Sequence, residues 1–220
     1  LLTFEFSIMR MIRKSLIFLL LFSFSSYAQE NDFQLWNTLN FKKKISKSYY
    51  TDFKYGLRYR ENASIISNQF FDFRLKYRQN KKWSYALGYR NILDYSVSSE
   101  IDYKNRYYLD LYYSKKIDRY FIDLRNRILT QNNRFSSKQV FRQKIKLSYN
   151  IRKTKLEPSL AFEIFYDFSS SFYKLRNSIA LSYPINKKTD FSLVYKTENE
   201  FNVAEPNTLY IFEPKISYRF

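Results

Sequence analysis

The stretch TLYIFEPKISYRF, Thr208–Phe220, divides its side chains into two sets when read at a period of two. Tyr210, Phe212, Pro214, Ile216, Tyr218 and Phe220 fall on one side; Leu209, Ile211, Glu213, Lys215, Ser217 and Arg219 fall on the other. Neighbouring side chains of an extended chain point to opposite faces, so this is a strand with one apolar face and one mostly polar face. The apolar face is aromatic at both ends, and its last residue is the aromatic Phe220.

The same division recurs up the chain. Phe53, Tyr55, Leu57 and Tyr59 alternate with Asp52, Lys54, Gly56 and Arg58, and Phe71, Phe73, Leu75 and Tyr77 alternate with Asp72, Arg74 and Lys76. It returns at Tyr107–Tyr113, at Tyr120–Ile128, at Leu156–Tyr166 and at Leu175–Tyr183. Tyrosine tends to sit at segment ends and leucine or isoleucine in the middle. Aliphatic side chains at a bilayer centre with amphipathic rings at both interfaces produce that arrangement.

Two kinds of connection alternate between the segments. One is short and lysine-rich, around Lys43, Lys81, Lys116, Lys153 and Lys187. These recur about every 35 residues, the length of two membrane-crossing strands of about ten residues with a turn and a loop. The other is longer and more polar: 61–68, 91–104, 130–137, 169–171 and 198–207. Short turns at one rim and longer loops at the other are the expected asymmetry of an outer-membrane barrel.

Composition narrows the classes. The chain has 220 residues, 26% charged and 21% aromatic, with a net charge of +18. Its mean hydropathy of -0.52 argues against a membrane helix bundle. A transmembrane β-barrel escapes that test, because only alternate residues meet lipid. No cysteine is present, which excludes disulfides and thiolate metal sites, and no histidine, which removes the usual general base and the commonest metal ligand.

The first segment reads as a targeting signal. Arg10, Arg13 and Lys14 form a basic region, Leu16–Phe24 an apolar core too short to span a bilayer, and Ser26-Tyr27-Ala28 a cleavage site. Residues 1–28 are thus a signal peptide with an upstream extension, Met11 being the natural start, and residues 29–220 are the barrel. Eleven strand candidates follow: 32–41, 48–60, 69–78, 82–91, 103–114, 119–129, 139–149, 155–168, 173–183, 188–198 and 208–220. Bacterial single-chain barrels use even numbers. The expectation is an all-β, single-chain antiparallel transmembrane β-barrel of ten to twelve strands: ten if the first segment is not a barrel strand, twelve if one long segment folds into two, with twelve favoured.

The Thr208–Phe220 segment resembles the closing strand of bacterial outer-membrane barrels, a class in which the aromatic C-terminus is the assembly signal; Tyr218 and Phe220 would carry it here. The opening DFQLWNTLNFKKKISKSYYTDFKYGLRYR, the LGYRNIL segment with Tyr89-Arg90 and the closing ISYRF resemble the uncharacterised outer-membrane family called domain of unknown function 2490. That resemblance runs from about Asn31 to Phe220. It implies a Gram-negative outer-membrane location, and it transfers no catalytic residues and no cofactor.

The face opposite the apolar one would line a lumen. Its candidate charges are Lys54, Arg58, Asp72, Arg74, Lys76, Arg90, Arg106, Asp110, Asp123, Arg125, Arg127, Lys144, Lys146, Glu157, Glu163, Arg176, Glu213 and Lys215. Long side chains of both signs can cross a small barrel and pair, giving a plugged polar interior and a structural role. The alternative is a narrow passive channel favouring small anions, for which rings of Arg and Lys are a known device. A third reading is a histidine-independent enzyme. Glu157, Glu163 and Asp167 share a strand face, where neighbours lie about 7 Å apart, but carboxylates among so many arginines read as paired ions, and no enzyme is expected.

Membrane lipid and the barrel-assembly machinery are the expected partners, with the protein a monomer. Lysine-rich turns beside aromatics also suit single-stranded nucleic acid. An exported chain meets little of it, and lysines at hairpin tips serve solubility and block edge pairing, so no nucleic-acid partner is expected. The loop aromatics Tyr95, Phe135, Phe172 and Phe201 are scattered singly and read as ordinary loop packing.

Overall fold

A computed structural model describes residues 31–96, 100–134 and 136–220; the signal segment and Phe135 lie outside the described residues. Eleven strands form one closed barrel: β1 (Asn31–Lys44), β2 (Tyr49–Arg60), β3 (Ile65–Arg78), β4 (Trp83–Tyr95), β5 (Ile101–Ile117), β6 (Tyr120–Asn132), β7 (Ser137–Tyr149), β8 (Glu157–Asp167), β9 (Ser171–Pro184), β10 (Thr189–Glu200) and β11 (Thr208–Arg219). Each strand pairs antiparallel with the next.

The strand number lies within the expected range, but the even count does not hold. β1 runs parallel to β11, with Asn31 opposite Thr208 and Lys42 opposite Arg219, and parallel closure is what an odd number of up-and-down strands requires. That seam is interrupted opposite Pro214: the register runs through Leu35–Phe212 and resumes at Thr38–Lys215. A proline has no N–H to give a ladder. The start of β1 is held separately by the β2–β3 turn. Ala63 N–H donates to the Phe33 carbonyl at 3.1 Å and Asn62 N–H to Asp32 Oδ1 at 3.1 Å. This turn places Glu61, Asn62 and Ala63 at positive φ, a conformation that non-glycine residues enter at a cost.

The expected contrast between short turns and long loops is also absent. Connections run from two to seven residues at the rim carrying the lysine-rich turns and from three to seven at the other. The polar stretches read as loops are in part strand: β3 begins at Ile65, β5 at Ile101, and β10 continues to Glu200. Several strands therefore exceed the roughly ten residues that cross hydrocarbon.

Outside, the barrel carries an exposed aliphatic belt, with Leu109 and Ile179 each 60% exposed and Leu87 58%. Water would not tolerate so continuous an apolar surface, whereas lipid covers it. Aromatic pairs cap the belt. Tyr49–Tyr77, Trp83–Tyr113 and Tyr120–Tyr149 stand directly opposite each other near the lysine-rich rim, with ring centroids 5.2, 4.9 and 4.9 Å apart. Tyr89–Tyr107 does the same toward the other rim at 5.2 Å. Polar outer residues pair with each other, as Gln143 does by donating to Asn126 at 2.9 Å.

The interior is polar. Its buried side chains include Asp72, Asp110, Arg127, Glu163 and Glu198 alongside a small apolar patch of Tyr108, Leu129 and Val140.

Candidate functional site

The alternation that turns Phe53, Phe73 or Leu109 outward turns their neighbours inward, and charges from every side of the barrel converge. The cavity they line has a volume of about 630 Å³. Fifteen lysines and arginines face it against four carboxylates. The lining extends from Arg60 and Lys174, near one rim, to Lys42, near the other.

Carboxylates hold the guanidinia in place through charge-assisted bonds. Asp110 accepts from Arg127 Nε at 2.6 Å and Nη2 at 2.7 Å, a two-pronged pair across β5 and β6. Asp52 accepts from Arg74 Nε at 2.9 Å, and Arg74 Nη1 reaches the Tyr112 hydroxyl at 2.7 Å. Asp72 accepts from Arg90 at 2.7 Å and from the Tyr108 hydroxyl at 2.8 Å. Glu163 is the busiest centre: Arg142 donates to it at 2.8 Å, Arg176 at 3.3 Å, and Arg125 also reaches it. Arg176 meets Glu198 on its other side, and Lys196 meets Glu213. Thr38 donates to Glu213 at 2.7 Å, which ties β1 to β11 across the seam.

Inward aromatics separate these pairs. The Arg58 guanidinium lies 3.7 Å from the Trp36 ring centroid, Lys196 lies 4.6 Å and Arg176 5.5 Å from it. Arg127 sits 3.7 Å over Tyr108, and Arg142 4.3 Å over Phe165. Trp36 on β1 and Arg176 on β9 meet although β11 and β10 separate them around the wall, so side chains span part of the interior.

Thirteen of the sequence-named charges line the main cavity: Lys54, Arg58, Asp72, Arg74, Arg90, Arg106, Arg125, Arg127, Lys144, Glu163, Arg176, Glu213 and Lys215. Lys146 lines a smaller cavity of about 210 Å³ with Lys144 and Lys215. Asp110 is bound to Arg127, Asp123 accepts from Ser114 at 2.6 Å, Lys76 stands over Tyr112, and Glu157 on β8 faces Ser182. Tyr218 and Phe220 lie together on the outer face with centroids 5.1 Å apart, Phe220 also packing near Phe41.

Sequence reasoning missed Lys42, Arg142, Lys174 and Glu198 and all the inward aromatics, and it left Asp52 out of the lumen charges after placing it on the polar face. A usable signal lay in the only two glycines of the chain. Gly56 stands opposite Phe70 and Gly88 opposite Tyr108. A β-carbon at Gly56 would meet the Phe70 ring at 2.2 Å, and one at Gly88 would meet Tyr108 at 2.0 Å. Each glycine makes room for a ring that folds inward over it.

A family model described as Protein of unknown function (DUF2490) matches residues 33–209. The chain belongs to this family. The DUF2490 match spans the barrel from β1 to the start of β11. Among curated protein sequences none matches the chain. Among solved structures, the NanC porin aligns over 76% of this chain and 86% of its own, at 10% identity and a TM-score of 0.50. The KdgM porin, solved in complex with disordered oligogalacturonate, aligns over 72% and 81% at 13% identity and a TM-score of 0.47. The NanC likeness shows a porin-like barrel fold, and the DUF2490 family carries no assigned role.

Proposed function

We propose that this protein resides in the outer membrane of a Gram-negative bacterium and provides a narrow passage favouring small anions. The observation that carries the reading is the cavity of about 630 Å³, lined by basic residues in excess from near one rim to near the other. Mixed charges at the wall exclude apolar solutes, and the surplus of cations lowers the barrier for anions. The short connections leave little chain to fold inward, so side chains alone set the width. Tyr218 and Phe220, aromatic on the outer face, are assigned to recognition by the assembly machinery. The barrel is proposed to work as a monomer in contact with lipid.

Catalysis is not part of this proposal. Glu163, the carboxylate best placed for it, is engaged by three arginines and so held as a charge partner instead of a free acid or base. Lipid hydrolysis that survives purification and is lost in Glu163→Gln would contradict that assignment.

A second reading is a wall component with a closed lumen, favoured by the contacts that cross the interior from Trp36 to Arg176. Planar-bilayer recording of the refolded protein separates the two. Discrete current steps with a reversal potential favouring anions are expected for the passage; a folded, heat-modifiable barrel that stays silent is the result for the closed wall.

A further inference from the structure

Inward cations outnumber the carboxylates, and several, Lys54, Lys144 and Lys215 among them, form no ion pair among the described residues; one such group is made of arginines. Arg90 and Arg106 stand directly opposite each other on β4 and β5, and both face the cavity. Like charges so placed repel each other. Arg90 is neutralised by Asp72. Arg106 donates to the neutral amide oxygen of Gln131, and its strongest electrostatic neighbours are the arginines Arg90, Arg142, Arg58 and Arg127. Arg58 lies on the Trp36 ring and faces Phe70, whose ring also carries Arg90 at 4.1 Å. Its Nε is buried and makes no hydrogen bond among the described residues. Arg127 and Arg142 are also opposite neighbours, but there Asp110 and Glu163 supply the counter-charges. Among the described residues no carboxylate forms an ion pair with Arg58 or Arg106; Glu198 and Glu213 act on Arg58 only from beyond ion-pair distance.

We propose that Arg58, Arg90 and Arg106 form a binding site for a phosphate group, in the half of the lumen toward the β2–β3 turn. Three guanidinia with Asp72 counted leave two positive charges, which a dianion matches. Tetrahedral oxygens can accept from several planar guanidinia together, which a single halide ion cannot do. The site deepens the reading of the lumen as an anion path, and rests on it in that the solute must enter the lumen.

Trp36 supplies a readout independent of current, because it is 6% exposed and lies beneath Arg58. With Trp83→Phe it becomes the only tryptophan. The refolded barrel is titrated with inorganic phosphate and, separately, glycerol phosphate, against chloride at matched ionic strength. A saturable change in Trp36 emission is expected with phosphate and none with chloride. Arg106→Gln should weaken the response about tenfold or more, as loss of a charge-assisted contact does. Arg219→Gln, paired with Asp190 at the rim, should leave it unchanged. Equal responses to both ligands mean that the monoester group is recognised; a response to inorganic phosphate alone restricts the site to the free ion. If Arg106→Gln loses its heat-modifiable mobility, Arg58→Gln takes its place. No saturable response in the parent, or an unaltered response in the folded variant, overturns the site. A silent barrel that binds phosphate would sink the passage and keep the site, whereas a conducting barrel with no response would do the reverse.

Discussion

Glu163 shows at single-residue scale how this interior is held. Its carboxylate is buried and shared by arginines from β6, β7 and β9, so neutralising it strands several cations at once. Breaking such a buried pair from one side costs about 3–5 kcal/mol. Glu163→Gln should therefore lower the urea midpoint of the barrel in vesicles, and an unchanged midpoint would show that the charges relax without it. The glycines make the opposite kind of claim. Gly88→Ala should destabilise by about 1–3 kcal/mol through overpacking against Tyr108, and Tyr108→Ala in the same chain should recover part of that loss, a coupling that a double-mutant cycle measures. Neither inward ring was legible in the period-two pattern, only in the glycine facing it. Phe70-Phe71 and Tyr107-Tyr108 place aromatics on both faces, so a period-two reading has no contrast to work with.

Among the elements, β1 and β11 carry the greatest departure from expectation. The strands themselves were legible: the outward row from Tyr210 to Phe220 and the inward row from Ile211 to Arg219 stand as the alternation placed them. Their pairing was not, because it joins segments at opposite ends of the chain and leaves no local mark. Loop lengths misled for a related reason. Polar residues in strand that projects past hydrocarbon look like loop to a hydropathy pattern. The parallel seam has a direct chemical test, since the chain holds no cysteine of its own. Leu39 stands opposite Ile216, so Leu39→Cys with Ile216→Cys should cross-link on mild oxidation. Leu39→Cys with Phe212→Cys, displaced along β11, should not. The reverse result would mean a different register or a different closing pair.

For the whole molecule, the physical claim is that one alternation serves two solvents. Side chains on the outer set meet acyl tails, and those on the inner set pair in part with one another and leave a basic cavity. The NanC likeness agrees with the fold, and the lumen chemistry depends on that partition being real. Spin labels placed singly along Thr208–Arg219 of the barrel in lipid vesicles read the partition residue by residue. Collisions with lipid-dissolved oxygen should peak at Tyr210, Phe212, Ile216 and Tyr218, and collisions with a water-soluble relaxer at Glu213, Lys215 and Ser217. Two profiles that rise and fall together, with no period of two, would contradict the barrel as a lipid-facing wall around a polar interior.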